Sequence, residues 1–370
     1  MEANNMQEIL DLQQAHFIKE GAPSYELRVD RLDRMKTLIM DNRYKFVDAL
    51  NEDFGVRSKN QSMATDVYTI VPGINYAKKN LKRWMSDSKR KPNFPLGLLG
   101  AKAKVSYQPL GTVGMISPWN FPVYLTFAPL SSIFAAGNQV MHKPSEYTEQ
   151  TSNLLKELCD KAFDEHEFAT VLGGPDVGAS FTQLKFDHLL YTGSGAVAKH
   201  IMKAAAENLV PVTLELGGKS PTIILADADL DNVMPLAARS VFMFAGQACI
   251  ASSRFYVERP LYDEFVKRFS MIIRKLGMGD LRDPNTVISP IISPRQRERI
   301  KSHIDDARAK GANVIGGEWE GNRCQPTLLT EVSEEMTVCQ TETFGPVTAI
   351  YPIESYEEGL EKANDTEYGL

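Results

Sequence analysis

Cys249 lies in Phe242-Met-Phe-Ala-Gly-Gln-Ala-Cys-Ile-Ala-Ser-Ser-Arg254, just after a Gly-Gln turn and ahead of small residues. A thiolate is a strong nucleophile, and small neighbours let an electrophile and backbone N–H groups approach it. The competing reading is a core thiol, because free cysteines are among the most buried residues. Glu215 stands in Val212-Thr-Leu-Glu-Leu-Gly-Gly-Lys-Ser-Pro221, inside an apolar strand ahead of two glycines. A carboxylate there should be partly desolvated, which suits a general base. The alternative is a strand-end charge that reaches water or pairs with Lys219. Asn120, in Pro118-Trp-Asn-Phe-Pro122, follows a strand and opens a helix. Its amide N–H2 group would serve as an oxyanion donor or as an ordinary helix cap.

Two further stretches invite a phosphate reading. His188-Leu-Leu-Tyr-Thr-Gly-Ser-Gly-Ala-Val-Ala198 runs from a strand through a glycine turn into a helix, as G-x-G-x-x-A. Helix N-terminal amides there would face a dinucleotide phosphate. The acid expected on a ribose about twenty residues later would be Glu215, which ends no obvious second strand. Gly218-Lys-Ser220 resembles the end of a phosphate loop, but position 213, where that motif needs glycine, is Thr213. Glu342-Thr-Phe-Gly-Pro346 reads by itself only as a turn.

Composition bounds what these residues serve. The chain has 370 residues, long enough for two domains with sizeable cores, and its net charge of −6 disfavours a nucleic-acid partner. Four cysteines without a CxxC pair argue for a reducing compartment, and the start lacks a signal-peptide pattern, so a cytoplasmic protein is expected. The apolar stretch 127–140 is too short and too interrupted to span a bilayer. The six histidines are scattered and form no metal-ligand set, so no metal is expected.

The elements that must position these groups follow from periodicity. Leu27, Leu32, Met35, Leu38 and Ile39 mark helical spacing over residues 6–85, with Gly21 and Gly55 as helix stops. Residues 102–108 alternate like a half-exposed strand that invites pairing with another subunit. From Gly111 to Ala226 short apolar strands alternate with helices, the pattern of a parallel sheet, and a second α/β domain follows Leu216.

Six motifs in order make the chain resemble the aldehyde dehydrogenase family. They are Pro118-Trp-Asn-Phe-Pro122, Lys143-Pro-Ser-Glu146, Thr192-Gly-Ser194, Glu215-Leu-Gly-Gly-Lys-Ser-Pro221, Gly246-Gln-Ala-Cys249 and Glu342-Thr-Phe-Gly-Pro346. The stretches Asp53-Phe-Gly-Val-Arg-Ser58, Phe186-Asp-His-Leu-Leu190 and 204–216 are most similar to the coniferyl aldehyde dehydrogenase branch. The resemblance implies an α/β fold with a Rossmann-type cofactor domain (1–90 and 110–216), a bridging β arm (91–109) and an α/β catalytic domain (217–370). It implies Cys249 as nucleophile, Glu215 as the base for water, and Asn120 with the Cys249 N–H as oxyanion hole. Lys143 and Glu146 would hold the adenosine ribose, and Gly193 and Ser194 the pyrophosphate. Glu342 would hold the nicotinamide ribose with Phe344 beside it, while Trp119, Gly178 and Leu216 match further cofactor contacts.

The implied reaction is oxidation of an aldehyde to its acid with NAD, and NADP is the alternative. Glu215 favours hydrolytic release over transfer to coenzyme A. Glu146 favours NAD, since a carboxylate repels a 2′-phosphate. Phe121, Tyr124, Leu125 and Ala128 are expected on one helix face near Asn120. Their apolar surface with one hydroxyl suits an aromatic or medium-chain aldehyde, unless the stripe is core. A semialdehyde dehydrogenase and a non-catalytic homologue are the rival readings, and a homo-oligomer, dimer or tetramer, is expected. Three features depart from the family pattern. The fingerprint ends in Ala198 where glycine is usual. Ile-Ala-Ser-Ser-Arg254 follows Cys249 where the branch has Val-Ala-Pro-Asp-Tyr. Relatives continue past Leu370, so the chain is expected to be either part of a longer protein or a naturally short member.

Overall fold

The computed structural model describes residues 3–370 except 277, 279–282 and 284–287. The chain opens with helices α1 (Ala3–Glu20), α2 (Tyr25–Asp41) and α3 (Arg43–Asp53). One helical turn, α4 (Lys59–Ser62), runs through a π-helical turn at Met63–Tyr68 into α5 (Ile70–Trp84). Gly21 and Gly55, with φ of 74° and 71°, end the helices before them; a side chain would be strained in that left-handed conformation. Strands β1 (Ser88–Arg90) and β2 (Ala103–Val105) then pair antiparallel. β2 is shorter than the alternation over 102–108 suggests, and all three of its residues are exposed.

Next come β3 (Thr112–Ile116), α6 (Tyr124–Ala136), β4 (Gln139–Lys143), α7 (Glu149–Ala162), β5 (Phe168–Thr170), α8 (Pro175–Phe181), β6 (His188–Thr192), α9 (Gly195–Glu207) and β7 (Val212–Glu215). The five strands form one parallel sheet in the order β5-β4-β3-β6-β7. β4 is buried at every position, as a central strand covered by helices on both faces must be, whereas β7 at the edge alternates between half-buried and exposed. Phe127, Leu130 and Phe134 of α6 are fully buried, as is Leu155 of α7. At roughly 1.5–3 kcal/mol per large apolar side chain, burial of this kind is the main stabilising term.

The remainder comprises β8 (Pro221–Ile224), α10 (Leu230–Phe242), β9 (Arg254–Glu258), α11 (Arg259–Leu276), α12 (Pro294–Ala309), β10 (Asn313–Gly316), the hairpin β11 (Trp319–Glu320) and β12 (Arg323–Cys324), β13 (Thr327–Thr330), α13 (Thr337–Gln340), β14 (Val347–Ile353) and α14 (Tyr356–Asn364). Its sheet, β10-β13-β14-β9-β8, is parallel apart from the β10–β13 pair. Phe255, Val257, Phe265, Phe269, Leu329 and Ile350 centre its core.

Contacts divide the chain into two units, 1–49 with 63–215 and 50–62 with 216–370. The boundary at 215/216 lies one residue before the 216/217 division expected from the sequence. Residues 50–62, which the sequence reading places in the first domain, pack with the second unit, because Phe54 and Arg57 bury their side chains against Phe244. Among the described residues no helix is long and apolar enough to cross a membrane, and no group of three or more His, Cys, Asp or Glu residues is arranged to hold a metal ion.

Candidate active site

In the first unit the singled-out residues gather at the carboxyl ends of parallel strands, where open α/β sheets bind ligands. β3 leads through Ser117 to Trp119 and Asn120; Trp119 is half-buried and Asn120 is buried. His142 ties this strand end down. Its Nε2 lies 2.7 Å from Ser117 Oγ and 3.2 Å from Thr126 Oγ1. Burial, and then the neighbouring Lys143 charge, push His142 down to about 3, so it is a neutral structural group.

β4 ends on Lys143, whose Nζ donates to the Pro144 carbonyl at 3.0 Å and to Glu146 Oε2 at 3.1 Å. The Cβ that an alanine would add at Gly178 of α8 would stand 3.7 Å from Lys143 Cε. β6 ends in the turn at Gly193, where a Cβ would stand 2.2 Å from Tyr191 Oη, so a side chain there would have to push the phenol aside. Ser194 caps α9, its Oγ accepting from Val197 N–H, and Ala198 packs its methyl in the interior.

β7 ends on Glu215, opposite Thr192 of β6, so an adjacent strand does end in the acid although none was obvious in the sequence. The expected desolvation of Glu215 is not found: the residue is exposed. The reason is its place on an edge strand, where alternate side chains leave the sheet toward water. Phe121 is likewise misplaced by the sequence reading. It precedes α6, and its carbonyl accepts from Leu125 N–H at 2.8 Å. Tyr124, Leu125 and Ala128 do share a half-buried face, distinct from the core face of Thr126, Phe127, Leu130 and Phe134.

In the second unit Cys249 is half-buried, while Cys159, Cys324 and Cys339 are buried. Burial raises all three of those thiols, Cys324 to about 12, which makes them poor nucleophiles. The turn before Cys249 is fixed by Gln247, whose Nε2 donates to the Phe244 and Pro290 carbonyls and whose Oε1 accepts from Ile292 N–H.

Leu216 is half-buried and leads into Gly217 and Gly218. The Glu342 carboxylate lies against that pair, accepting from Gly218 N–H at 3.2 Å. Burial raises the Glu342 carboxyl, against the lowering effect of that hydrogen bond and of Arg299 and Lys219. Phe344 has a φ of 56°, so the turn read in the sequence is a strained one. Three side chains of α12 that the sequence reading did not single out hold it. Gln296 Nε2 donates to the Thr343 and Phe344 carbonyls at 2.8 and 2.9 Å, Arg299 donates to the Glu342 carbonyl, and His303 Nδ1 meets Thr343 Oγ1 at 3.1 Å. No local motif marks these residues, because each acts across forty or more positions of sequence.

A glycine turn, a capped helix start and a buried lysine beside a carboxylate make a polar set suited to a dinucleotide. The chain is similar to known proteins along its length. A probable coniferyl aldehyde dehydrogenase of Caulobacter vibrioides is 42% identical over 97% of this chain and 76% of its own length. A coniferyl aldehyde dehydrogenase of a Pseudomonas species is 40% identical over 100% and 77%. The solved betaine aldehyde dehydrogenase of Staphylococcus aureus in complex with NAD+ superposes with a TM-score of 0.90 at 28% identity, covering 99% of this chain and 74% of that one. The model of the aldehyde dehydrogenase family matches residues 3–370, and the chain therefore belongs to that family as an NAD(P)-dependent aldehyde oxidoreductase.

Proposed function

We propose that the chain oxidises an aromatic, cinnamyl-type aldehyde to its free acid with NAD, using Cys249, Glu215 and Asn120. The observation that carries the reading is the contrast among thiols: Cys249 alone of the four cysteines is not buried. Its thiolate attacks the carbonyl carbon, and the Asn120 amide and the Cys249 N–H donate to the developing oxyanion. The bound nicotinamide supplies the hydride acceptor. The chain's part is to hold the resulting thioester on Cys249, to take a proton from water at the Glu215 carboxylate and to release the acid. An exposed Glu215 is already in contact with water, which supports that role.

Lys143, Glu146, Gly178, Gly193 and Ser194 would bind the adenosine and pyrophosphate part of the dinucleotide, together with Trp119 and Leu216. Glu342 and Phe344 would bind its nicotinamide end. Tyr124, Leu125 and Ala128, with Phe121 before the helix, would line the aldehyde site, and the names of the two coniferyl relatives favour a phenolic ring there. Residues 1–49, 63–90 and 110–215 would act as the cofactor domain and 216–370, with 50–62, as the catalytic one. The 91–109 arm, whose Phe94, Leu98 and Leu99 are highly exposed, would join subunits of a homo-oligomer.

The test is NADH formation with coniferaldehyde, benzaldehyde, hexanal and succinate semialdehyde. Coniferaldehyde should give the highest kcat/KM, and Cys249→Ala should abolish turnover. Glu215→Gln should form NADH in a single burst and then lose steady-state turnover by ~100-fold. Preference for succinate semialdehyde would establish the semialdehyde reading, and no turnover of any aldehyde by the wild type would overturn the catalytic one.

A further inference from the structure

We propose that Arg57 is a positioning residue for Cys249, acting through the strained run of backbone that precedes the thiol. The inference rests on the reading of Cys249 as nucleophile.

Phe244, Ala245 and Gly246 have φ of 56°, 52° and 67°, so three consecutive residues are left-handed. Glycine adopts that conformation freely; phenylalanine and alanine do so only where their surroundings over-determine it. All three are buried, and Cys249 follows three residues later.

The surroundings grip the run on each side. The Arg57 guanidinium stands 4.0 Å from the centroid of the Phe244 ring and 5.2 Å from that of Phe54. The two rings meet edge to face, with centroids 5.0 Å apart at 75°. Arg57 is only 1% exposed, and a desolvated cation over a ring face attracts more strongly than one in water. Its own backbone is fixed, since Arg57 N–H donates to Asn51 Oδ1 at 3.0 Å.

Beneath the run, a Cβ at Gly246 would stand 2.1 Å from the Gly345 carbonyl oxygen, so the chain cannot relax toward that side. Gln247 closes the far end by donating to the Phe244 carbonyl itself. Arg57 thus supplies the contact that holds the Phe244 ring, and with it the left-handed backbone, in register with Cys249. A planar guanidinium stacks on an aromatic face in a way that an ammonium does not, which accounts for arginine here.

The test follows the rate at which iodoacetamide alkylates Cys249 across pH, read on the Cys249 peptide, beside kcat, KM for the cofactor and the thermal midpoint. In Arg57→Met the alkylation rate and kcat should fall about 10-fold while KM for the cofactor changes little, because misplacement of the reacting atom, not of the dinucleotide, is what changes. Arg57→Lys should recover only part of the loss. In a Phe244→Leu background the Arg57→Met effect should largely vanish, since the contact through which it acts is already gone.

A folded Arg57→Met protein with wild-type alkylation rate and kcat would overturn the proposal. If that variant does not fold, Arg57→Lys decides: wild-type alkylation and kcat in it would overturn the proposal equally. A wild-type Cys249 that alkylates no faster than Cys159, Cys324 and Cys339 would instead overturn the nucleophile reading beneath it.

Discussion

Glu146 lies three residues beyond Lys143, and the two side chains meet at 3.1 Å, with the lysine buried and the carboxylate reaching solvent. A ribose bearing two hydroxyls finds an acceptor at such a carboxylate, whereas a 2′-phosphate meets a like charge. Neutralising it should therefore relax the preference. Glu146→Gln is expected to raise the ratio of kcat/KM for NADP to that for NAD by about 10-fold, measured with one aldehyde at saturation. An unchanged ratio would remove Glu146 from cofactor choice. At this scale the sequence is most informative about chemistry and least about exposure. Cys249 and Asn120 are residue types whose possible chemistry can be read locally, whereas Glu342 reads by itself only as part of a turn. The exposure of Glu215 depends on β7 being the last strand of its sheet, which no run of neighbouring residues announces.

Elements show the same division between local and long-range causes. β4 and β6 are legible because parallel strands covered by helices are short apolar runs, and α9 because Ser194 caps it. The face of α6 that carries Tyr124, Leu125 and Ala128 is legible from helical spacing, but its beginning is not: a turn spans Phe121–Val123 after Asn120. Least legible is the meeting of the Gly217–Gly218 turn with the loop that carries Glu342. A Cβ at Gly217 would stand 2.2 Å from Glu342 Oε2, the far end of a flexible side chain. Gly217→Ala should therefore displace the carboxylate and spare the fold. Fluorescence titration with NADH is expected to show about 10-fold weaker binding with a thermal midpoint close to wild type. A large fall in the midpoint with unaltered binding would show instead that the turn serves only stability.

Across the whole molecule, stability should depend on acid in two steps. Burial, followed by Arg299 and Lys219, holds His303 at about 4, and His142 is held at about 3, both below the ordinary 6.5. Each is neutral in the fold, so the unfolded chain binds more protons below pH 6.5. Their contribution is full above that pH and is lost as pH falls toward 4 and 3. Glu167 behaves as a depressed acid. Burial alone would raise it, but hydrogen bonds from Arg34 and Arg31 prevail and hold it at about 2, below its ordinary 4.5. Its contribution, on the order of 2–3 kcal/mol, is full above pH 4.5 and disappears as pH falls toward 2. Calorimetry should give a midpoint that is level above pH 6.5, declines below it and declines more steeply below 4.5. A level midpoint between 6.5 and 4.5 would exclude the histidine contribution.

The assignment of residues 50–62 is the feature of whole-molecule organisation that the sequence least reveals. Helical spacing runs on either side of the Gly55 stop, and the distant aromatic partner of Arg57 shows where the region belongs. The consequence concerns synthesis on the ribosome. Residues 50–62 emerge roughly 150 residues before the rest of their unit begins, an interval of about ten to thirty seconds at ordinary elongation rates. During that interval the Phe244 ring against which Phe54 and Arg57 pack has yet to be made. Gene fragments cut at 215/216 would separate residues 50–62 from the rest of their unit.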